Sequence, residues 1–199
     1  MRIPLIATGL LLVSLFASAQ QENKFTIKAL NRQIINRKDT IYRFYAISPA
    51  SPVDVRNYRV YHWYKADTIL ATMGGYDGRL LDGEYKVFYP GKNLKEEGMF
   101  HNGLREGEWK YWQPDGRLSG VFHWKKGVRK GAFEEYDDSG RKVRQGYYVN
   151  DRLSGKVTVY GPGAGVHRVR YKNGEPVSEK PKKKGKKKTE QAGDEKKKT

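Results

Sequence analysis

The amino-acid sequence predicts an all-β protein, an elongated antiparallel array of β-hairpin repeats followed by a disordered C-terminal tail. Three observations support this fold class. Four glycines recur every 24 residues, each followed two residues later by a large apolar side chain. Apolar and charged residues alternate in the early part of a unit, as in Trp109-Lys110-Tyr111, and this is the period of a half-buried strand. Turn sequences rich in glycine, proline and asparagine then interrupt the alternation twice in every unit.

The repeat positions are the glycines Gly83, Gly107, Gly131 and Gly155 and, two residues later, Tyr85, Trp109, Phe133 and Val157. A fixed period of this size indicates a repeat architecture, in which each unit buries its apolar face against its neighbours. Each unit is expected to contain a strand, a turn, a second strand and a second turn, with the second turn at sequences such as Asn102-Gly103 and Lys126-Gly127. We therefore interpret the periodic glycines, and the aromatic residues two positions after them, as structural residues.

The array is expected to span residues 58–177. Counting back one period from Tyr85 leads to Tyr61, so residues 58–82 are predicted to form a degenerate cap repeat, as terminal units often do. The unit that starts at Gly155 has valine in place of the aromatic residue and an unusual glycine-rich turn, and we interpret it as the far cap. Edge strands at both ends could pair with a second copy, although the sequence does not determine the oligomeric state.

Residues 20–57 are less periodic and are predicted to form an N-terminal β segment. Phe25–Ala29 and Thr40–Tyr45 have the composition of strands, and they flank a polar turn near residues 36–39. Prolines in the following stretch, residues 48–52, are expected to connect this segment to the array.

The first 19 residues have the organisation of a secretory signal peptide. Arg2 precedes an apolar run, which ends in the small-x-small pattern Ala17-Ser18-Ala19. Cleavage after Ala19 would leave Gln20 at the mature N-terminus, so we expect export to the periplasm, the outer envelope or the medium. The alternative is an uncleaved anchor, but the run is short for a span of ~20 residues.

The last segment, residues 178–199, contains ten lysines and four acidic residues and is predicted to be disordered, because it has too few apolar side chains to offset the entropy of ordering. Its central lysines are Lys182, Lys183, Lys184, Lys186, Lys187 and Lys188. Two interpretations remain open, a solubilising tail and electrostatic adhesion to an anionic polymer or to anionic lipid at a membrane surface. Nucleic acid is a weaker candidate, because no aromatic residue interleaves these lysines.

No catalytic, cofactor-binding or metal-binding constellation is apparent in the sequence. Cysteine is absent, so thiolate chemistry is excluded. The four histidines fall at different phases of the repeat and are not expected to converge on a metal. The adjacent carboxylates Glu96 and Glu97 would point to opposite faces of a strand, which is unsuitable for paired acid–base work. We therefore expect a protein that is not an enzyme.

The aromatic residues near the end of the second strand of each unit are the candidate binding surface. Phe100, Trp124 and Tyr148 occupy equivalent positions in successive units, and the second face of a hairpin array buries little. They are predicted to form an exposed row, flanked by Lys125, Lys126 and Arg129. Such a surface would favour an acidic partner, in keeping with the formal net charge of +17.

Residues 103–131, GLREGEWKYWQPDGRLSGVFHWKKGVRKG, resemble the variant MORN repeats of YwqK-type antitoxin-repeat proteins, and the similarity extends over about residues 58–177. Tyr61-His-Trp-Tyr64 and the glycine-rich sequence that follows resemble secreted members from Bacteroidetes-like bacteria. The resemblance implies an elongated antiparallel β-structure with a role in interaction, and it carries over no catalytic residue. The antitoxin label implies a cytosolic protein, which conflicts with the signal peptide.

Three functions are compatible with the sequence. The first is a secreted, non-catalytic interaction scaffold of the cell envelope that binds a protein or an envelope polymer. The second is an adhesion protein that acts through its lysine-rich tail. The third is an antitoxin-like regulator of a toxin, which requires that the N-terminal run is not a signal peptide.

Overall fold

The computed structural model describes residues 31–50, 52–161 and 165–177, which form fourteen β-strands and no helix. The strands are β1 (Arg32–Asn36), β2 (Ile41–Ile47), β3 (Val60–Lys65), β4 (Thr68–Met73), β5 (Arg79–Phe88), β6 (Leu94–His101), β7 (Leu104–Trp112), β8 (Leu118–Lys125), β9 (Val128–Tyr136), β10 (Lys142–Val149), β11 (Arg152–Leu153), β12 (Gly155–Tyr160), β13 (Val166–Lys172) and β14 (Glu175–Val177). The predicted all-β class is confirmed. The predicted signal peptide, the strand predicted at Phe25–Ala29 and the lysine-rich segment predicted to be disordered lie outside the described residues.

The strands belong to a single open antiparallel sheet. Its main path runs β1-β2-β5-β6-β7-β8-β9-β10-β12-β13-β14, and the two-residue strand β11 pairs with β10 beside this path. From β5 to β10 the order in the sheet is the order in the sequence, so each strand is added next to the previous one by a hairpin. In the described part of the chain, no helix is long and apolar enough to span a membrane.

Two-residue turns join the units, as the sequence predicts. Both turn residues have positive φ in Ala66–Asp67, Asn102–Gly103, Lys126–Gly127, Asn150–Asp151 and Asn173–Gly174. Positive φ at both positions defines the type I′ turn, whose twist matches that of the flanking strands. Asparagine, aspartate and glycine tolerate this conformation, whereas Lys126 adopts it (φ 50°) at a steric cost.

The turn inside each unit recurs with the same 24-residue period. Its closing hydrogen bond runs from the backbone N–H of Tyr89, Gln113, Asp137 and Gly161 to the carbonyl oxygen four residues later, over 2.7 to 2.9 Å. A second set of backbone bonds fastens four of the five two-residue turns to the strand before their hairpin, for example from Gly103 N–H to the Leu81 oxygen (2.7 Å) and from Gly127 N–H to the Arg105 oxygen (2.9 Å). The units are therefore linked by more than strand pairing.

The N-terminal segment forms the first hairpin of the sheet. Strand β2 lies where a strand is predicted, and β1 is a strand that the sequence analysis did not identify. Ile35 of β1 is buried and Ile34 is exposed, so β1 has one core face. The predicted polar turn lies between these two strands, where Arg37 N–H donates to the Thr40 oxygen over 2.8 Å.

The β3–β4 hairpin does not occupy the position expected for a cap repeat. Strand β5 pairs along its length with β2, and β3 pairs only with the start of β5, through Trp63↔Leu80 and Tyr64↔Arg79. The reason is geometric: β6 pairs with β5 only from Gly83 onward, so β3 takes the free edge before that glycine. The hairpin packs over the sheet, where the rings of Tyr64 and Phe44 make an edge contact with 5.4 Å between their centres.

The core lies along one side of the sheet, which we call the inner face and define by Phe44, Tyr85, Trp109, Phe133 and Val157, all buried. The opposite side is the outer face. At the N-terminal end the β3–β4 hairpin covers the inner face, and Tyr64 and Ile69 pack against the core there. Farther along, aromatic rings cover the strands themselves, as in the stacked pair Phe122–Phe133 with ring centres 6.0 Å apart. The aromatic residues two positions after the repeat glycines are therefore core residues.

Candidate interaction surface

The repeat glycines mark irregularities in strand pairing. Gly83, Gly107, Gly131 and Gly155 all have positive φ, between 71° and 135°. Near Gly107, for example, the register with β6 shifts between Glu97 and Met99, so that extra residues of β7 bulge out of the ladder. Glycine is the residue best suited to such a bulge, because it lacks the Cβ that disfavours positive φ. The sequence period is therefore a period of β-bulges.

The predicted exposed row of Phe100, Trp124 and Tyr148 is wrong. Phe100 is 3% exposed, Tyr148 is 7% exposed and Trp124 is half-buried. In the ladder the three residues stand directly opposite Gly83, Gly107 and Gly131, respectively. Paired residues share a face, so each ring fills the space on the inner face that the missing glycine side chain leaves. A spacing of 17 residues from each glycine to each ring is the signal that sequence reasoning missed.

Arg105 holds part of this inner-face cluster together. Its guanidinium lies 4.2 Å from the ring centre of Trp109 and 5.0 Å from that of Trp124. It also donates to the hydroxyl of Tyr111 (2.9 Å) and to Oε1 of Glu96 (3.1 Å). Burial raises the pKa of Glu96, and the charge of Arg105 opposes that rise. This arrangement is a structural cation–π and ion-pair network.

Arg129 repeats this role one period later and does not belong to a free binding surface, contrary to the prediction. Its guanidinium lies 4.3 Å from the ring centre of Tyr148, and its Nε donates to Oδ1 of Asp151 over 3.3 Å. Lys125 and Lys126 are exposed, as expected for a binding surface. The predicted site therefore separates into a structural part on the inner face and two accessible lysines at a turn.

The outer face is charge-balanced at the N-terminal end of the array. Lys86 forms ion pairs with Glu84 (2.7 Å) and Glu97 (3.2 Å), and Lys110 pairs with Glu108 (2.8 Å). These residues stand in successive strands, with Glu97 opposite both Lys86 and Lys110. Most of the positive charge in this region is therefore neutralised by neighbours within the sheet.

The C-terminal end of the sheet is positively charged instead. Its exposed cations are Lys130, Arg152, Lys156, Arg168, Arg170 and Lys172, and we call this set the basic end. Within residues 31–50, 52–161 and 165–177, none of them takes part in an ion pair, and Glu175, opposite Lys172, and Asp151 are the nearby exposed acids. Like charges directly opposite each other destabilise a sheet, yet Lys156 stands opposite Arg170.

Four residues of the basic end share the outer face. Val157 is buried on the inner face, so Lys156 points to the other side, and Arg170 shares that side because it is paired with Lys156. Arg168 and Lys172 lie two residues before and after Arg170 in β13, so they point to the same face. The alternating cations of Arg168-Val-Arg170-Tyr-Lys172 are a signal in the sequence that could have located this surface.

The described residues contain no cluster of three or more histidine or acidic side chains able to hold a metal ion. Burial and the charge of Arg105 lower the pKa of His62 to about 4, and its Nδ1 lies 3.4 Å from the Gly103 oxygen. Asp137 accepts hydrogen bonds from Ser139 and from the backbone of Arg141, which lower the pKa of its carboxyl group to about 2. His62 thus belongs to the packing of the β3–β4 hairpin, and Asp137 closes a turn.

Comparison with known proteins gives one family match. Residues 81–102 match the family model of the MORN repeat variant. This stretch covers β5 from Leu81 onward, the turn and β6, and thus about one unit of the array. Among curated proteins, none matches the sequence. Repeats of this variant are generally modules that bind proteins or membranes.

Proposed function

We propose that this protein is an exported, non-catalytic interaction scaffold of the cell envelope that binds an acidic partner through the basic end of its sheet. The observation that carries the proposal is the group of unneutralised cations on β12 and β13. Their mutual repulsion destabilises the fold, and a bound polyanion would remove it. The match of one unit to a repeat that generally serves in binding supports the same class of function.

The lysine-rich tail extends this proposal. Val177 is the last described residue, and it stands opposite Arg170 in the β13–β14 pair. The ten lysines of residues 178–199 therefore follow directly from the basic end. We infer that the sheet and the tail act on one polyanion, and that the sheet contributes a fixed arrangement of charges to which the tail adds electrostatic attraction.

Export is the second part of the proposal, and it rests on the N-terminal sequence alone. If it is correct, expression in a bacterial host should yield a mature chain that starts at Gln20 and appears outside the cytosol. Mass spectrometry of the fractionated protein measures both properties. A full-length chain that remains in the cytosol would contradict export and favour the regulator hypothesis.

Binding can be tested with a defined polyanion, fluorescently labelled polyglutamate, and the full mature chain. The double variant Arg168→Gln/Arg170→Gln should weaken binding at low salt, because it removes two cations that point to the same face of β13. The matched control is Arg32→Gln/Lys38→Gln, which removes two exposed cations at the opposite end of the sheet. If both double variants lose the same affinity for polyglutamate, binding responds only to net charge, and this result would contradict a localised site.

Deletion of residues 178–199 separates the sheet from the tail. The proposal expects the truncated chain to retain weaker binding that still depends on Arg168 and Arg170. Complete loss of binding on truncation would assign the affinity to the tail alone, which is the adhesion hypothesis in its original form. No binding of polyglutamate or any other polyanion by the full chain would refute the proposed function.

A further inference from the structure

An opening in the outer face lies next to the basic end. The ladder between β10 and β12 contains only Arg144↔Val159 and Gln145↔Thr158. Beyond this point β10 pairs with β11, and Ser154 N–H donates to the Tyr147 oxygen over 2.9 Å. The bulge at Gly155, which has a φ of 73°, separates the two modes of pairing. Strands β10 and β12 are therefore not paired between Tyr147 and Lys156, and the sheet is open there.

This opening is a cleft of about 400 Å³ with a lining that is part polar and part apolar, and it includes Ala132, Glu134, Gln145, Tyr147, Lys156 and Thr158. The register places Gln145 opposite both Glu134 and Thr158, and Tyr147 opposite Ala132. Because Ala132 is small, it leaves space beside the Tyr147 ring, which is 48% exposed. Arg168 and Arg170 continue the same face on β13.

The geometry points to this cleft as a binding site for an acidic sugar residue of a polysaccharide. Tyr147 offers the flat, partly apolar surface on which a sugar ring stacks, and Lys156 is placed to pair with a sugar carboxylate. Gln145 supplies an amide group for a sugar hydroxyl. The volume suits roughly one or two sugar rings, and the cations of β13 suit further acidic residues along the chain.

The position of the cleft favours a polysaccharide over a lipid surface. Tyr147 lies within strand β10, opposite Ala132 and with Lys156 across the cleft, so it does not project from a turn in the way that membrane insertion requires. In the equivalent cleft positions of the preceding units, the place of Tyr147 is taken by Met99 and His123, and the cations nearby are paired with acids. The site is therefore particular to the C-terminal end.

This inference rests on the proposed function, because it names the chemistry of the acidic partner. The probe is a labelled oligogalacturonate, which carries one carboxylate on each sugar, and it is compared with polyglutamate and with vesicles of anionic phospholipid. In the full mature chain, Tyr147→Ala should weaken oligogalacturonate binding about tenfold and leave polyglutamate binding unchanged. Tyr147→Phe should retain the sugar affinity, because it keeps the ring.

The control variant is Tyr58→Ala, which removes an even more exposed tyrosine outside the cleft and should not alter binding. Unchanged oligogalacturonate affinity in Tyr147→Ala would overturn the sugar site, while the proposed function would stand if polyglutamate still responds to Arg168→Gln/Arg170→Gln. Selective loss of vesicle binding in Tyr147→Ala would also overturn it, in favour of a lipid ligand. Failure of every polyanion to bind would remove the proposed function as well.

Discussion

The indole of Trp109 covers Gly98 of the neighbouring strand so closely that a Cβ added at Gly98 would overlap the ring. Gly98 stands opposite Tyr85, and the register between β6 and β7 shifts at this residue. Trp109 thus fills the inner face from β7 across β6, and its ring also lies against Phe100 at 5.0 Å between centres. The core of this open sheet depends on such coverage of one strand by side chains of the next.

Gly98→Ala is therefore expected to destabilise the protein by about 1–3 kcal/mol, because the indole has to move within a packed core. Chemical denaturation of both proteins measures the change. Gly91→Ala is the matched control, since an added Cβ at Gly91 meets no atom within 4 Å and Gly91 does not have positive φ. A Gly98→Ala variant as stable as the Gly91→Ala variant would show that Trp109 relaxes without cost.

Trp124→Ala is expected to lower stability by about 2–4 kcal/mol, because Trp124 packs against the core and Arg105 lies over its ring. This expectation replaces the one that follows from an exposed aromatic row, in which the same substitution would spare the fold. Tyr147→Ala, on the outer face, should cost less than about 1 kcal/mol. If the Trp124→Ala and Tyr147→Ala variants have equal unfolding free energies, Trp124 contributes no more to the core than an exposed tyrosine, and the exposed aromatic row is the better interpretation.

His62 should make stability depend on pH. Burial and the charge of Arg105 lower its pKa from the ordinary 6.5 to about 4, so the unfolded chain binds the proton more readily between these values. The contribution of His62 to stability is complete above pH 6.5 and is lost as pH falls toward 4. Between pH 7 and pH 5 the loss amounts to about 2 kcal/mol.

His62→Gln removes this titration. Carboxylates elsewhere titrate in both proteins, so the measured quantity is the difference in unfolding free energy between wild type and variant at each pH. This difference should shrink or reverse as pH is lowered from 7 to 5. A difference that stays constant over this range would mean that His62 is not desolvated in the folded protein.

Lys126→Asn should stabilise the protein by about 0.5–1 kcal/mol, because asparagine tolerates the positive φ that lysine adopts at a cost. The backbone N–H of residue 126 keeps its bond to Oε2 of Glu106, which measures 2.7 Å. Lys125→Asn is the control, since it removes the same charge from a strand position and should not stabilise. Thermal unfolding of both variants distinguishes relief of strain from a general effect of charge.

Much of the fold could be predicted from the local pattern. The alternation around Trp109 and the two-residue turns such as Asn102–Gly103 depend on the conformational preferences of adjacent residues, which the sequence displays directly. The position of the β3–β4 hairpin could not be predicted in this way. It depends on which edge of β5 remains free after β2 and β6 have paired with it, and this is a property of the assembled sheet.

The candidate site was less predictable, because a repeated aromatic does not reveal the face on which it lies. Phe100 and Tyr148 stand opposite Gly83 and Gly131, so they point into the core although their sequence context resembles that of a surface row. The basic end was visible in part, in the alternating cations of β13. Its lack of acidic partners, however, depends on the strands that lie beside it.

The all-β class, the 24-residue unit and its turns can be read from the amino-acid sequence, since these follow from glycine conformations and from the two-residue period of a strand. The accessibility of individual side chains depends instead on the assembled sheet. Cross-strand pairing places Tyr148 opposite Gly131 in the core and Lys156 opposite Arg170 on the outer face. Residues far apart in the chain become neighbours through that register, and burial and charge balance are set by these neighbours.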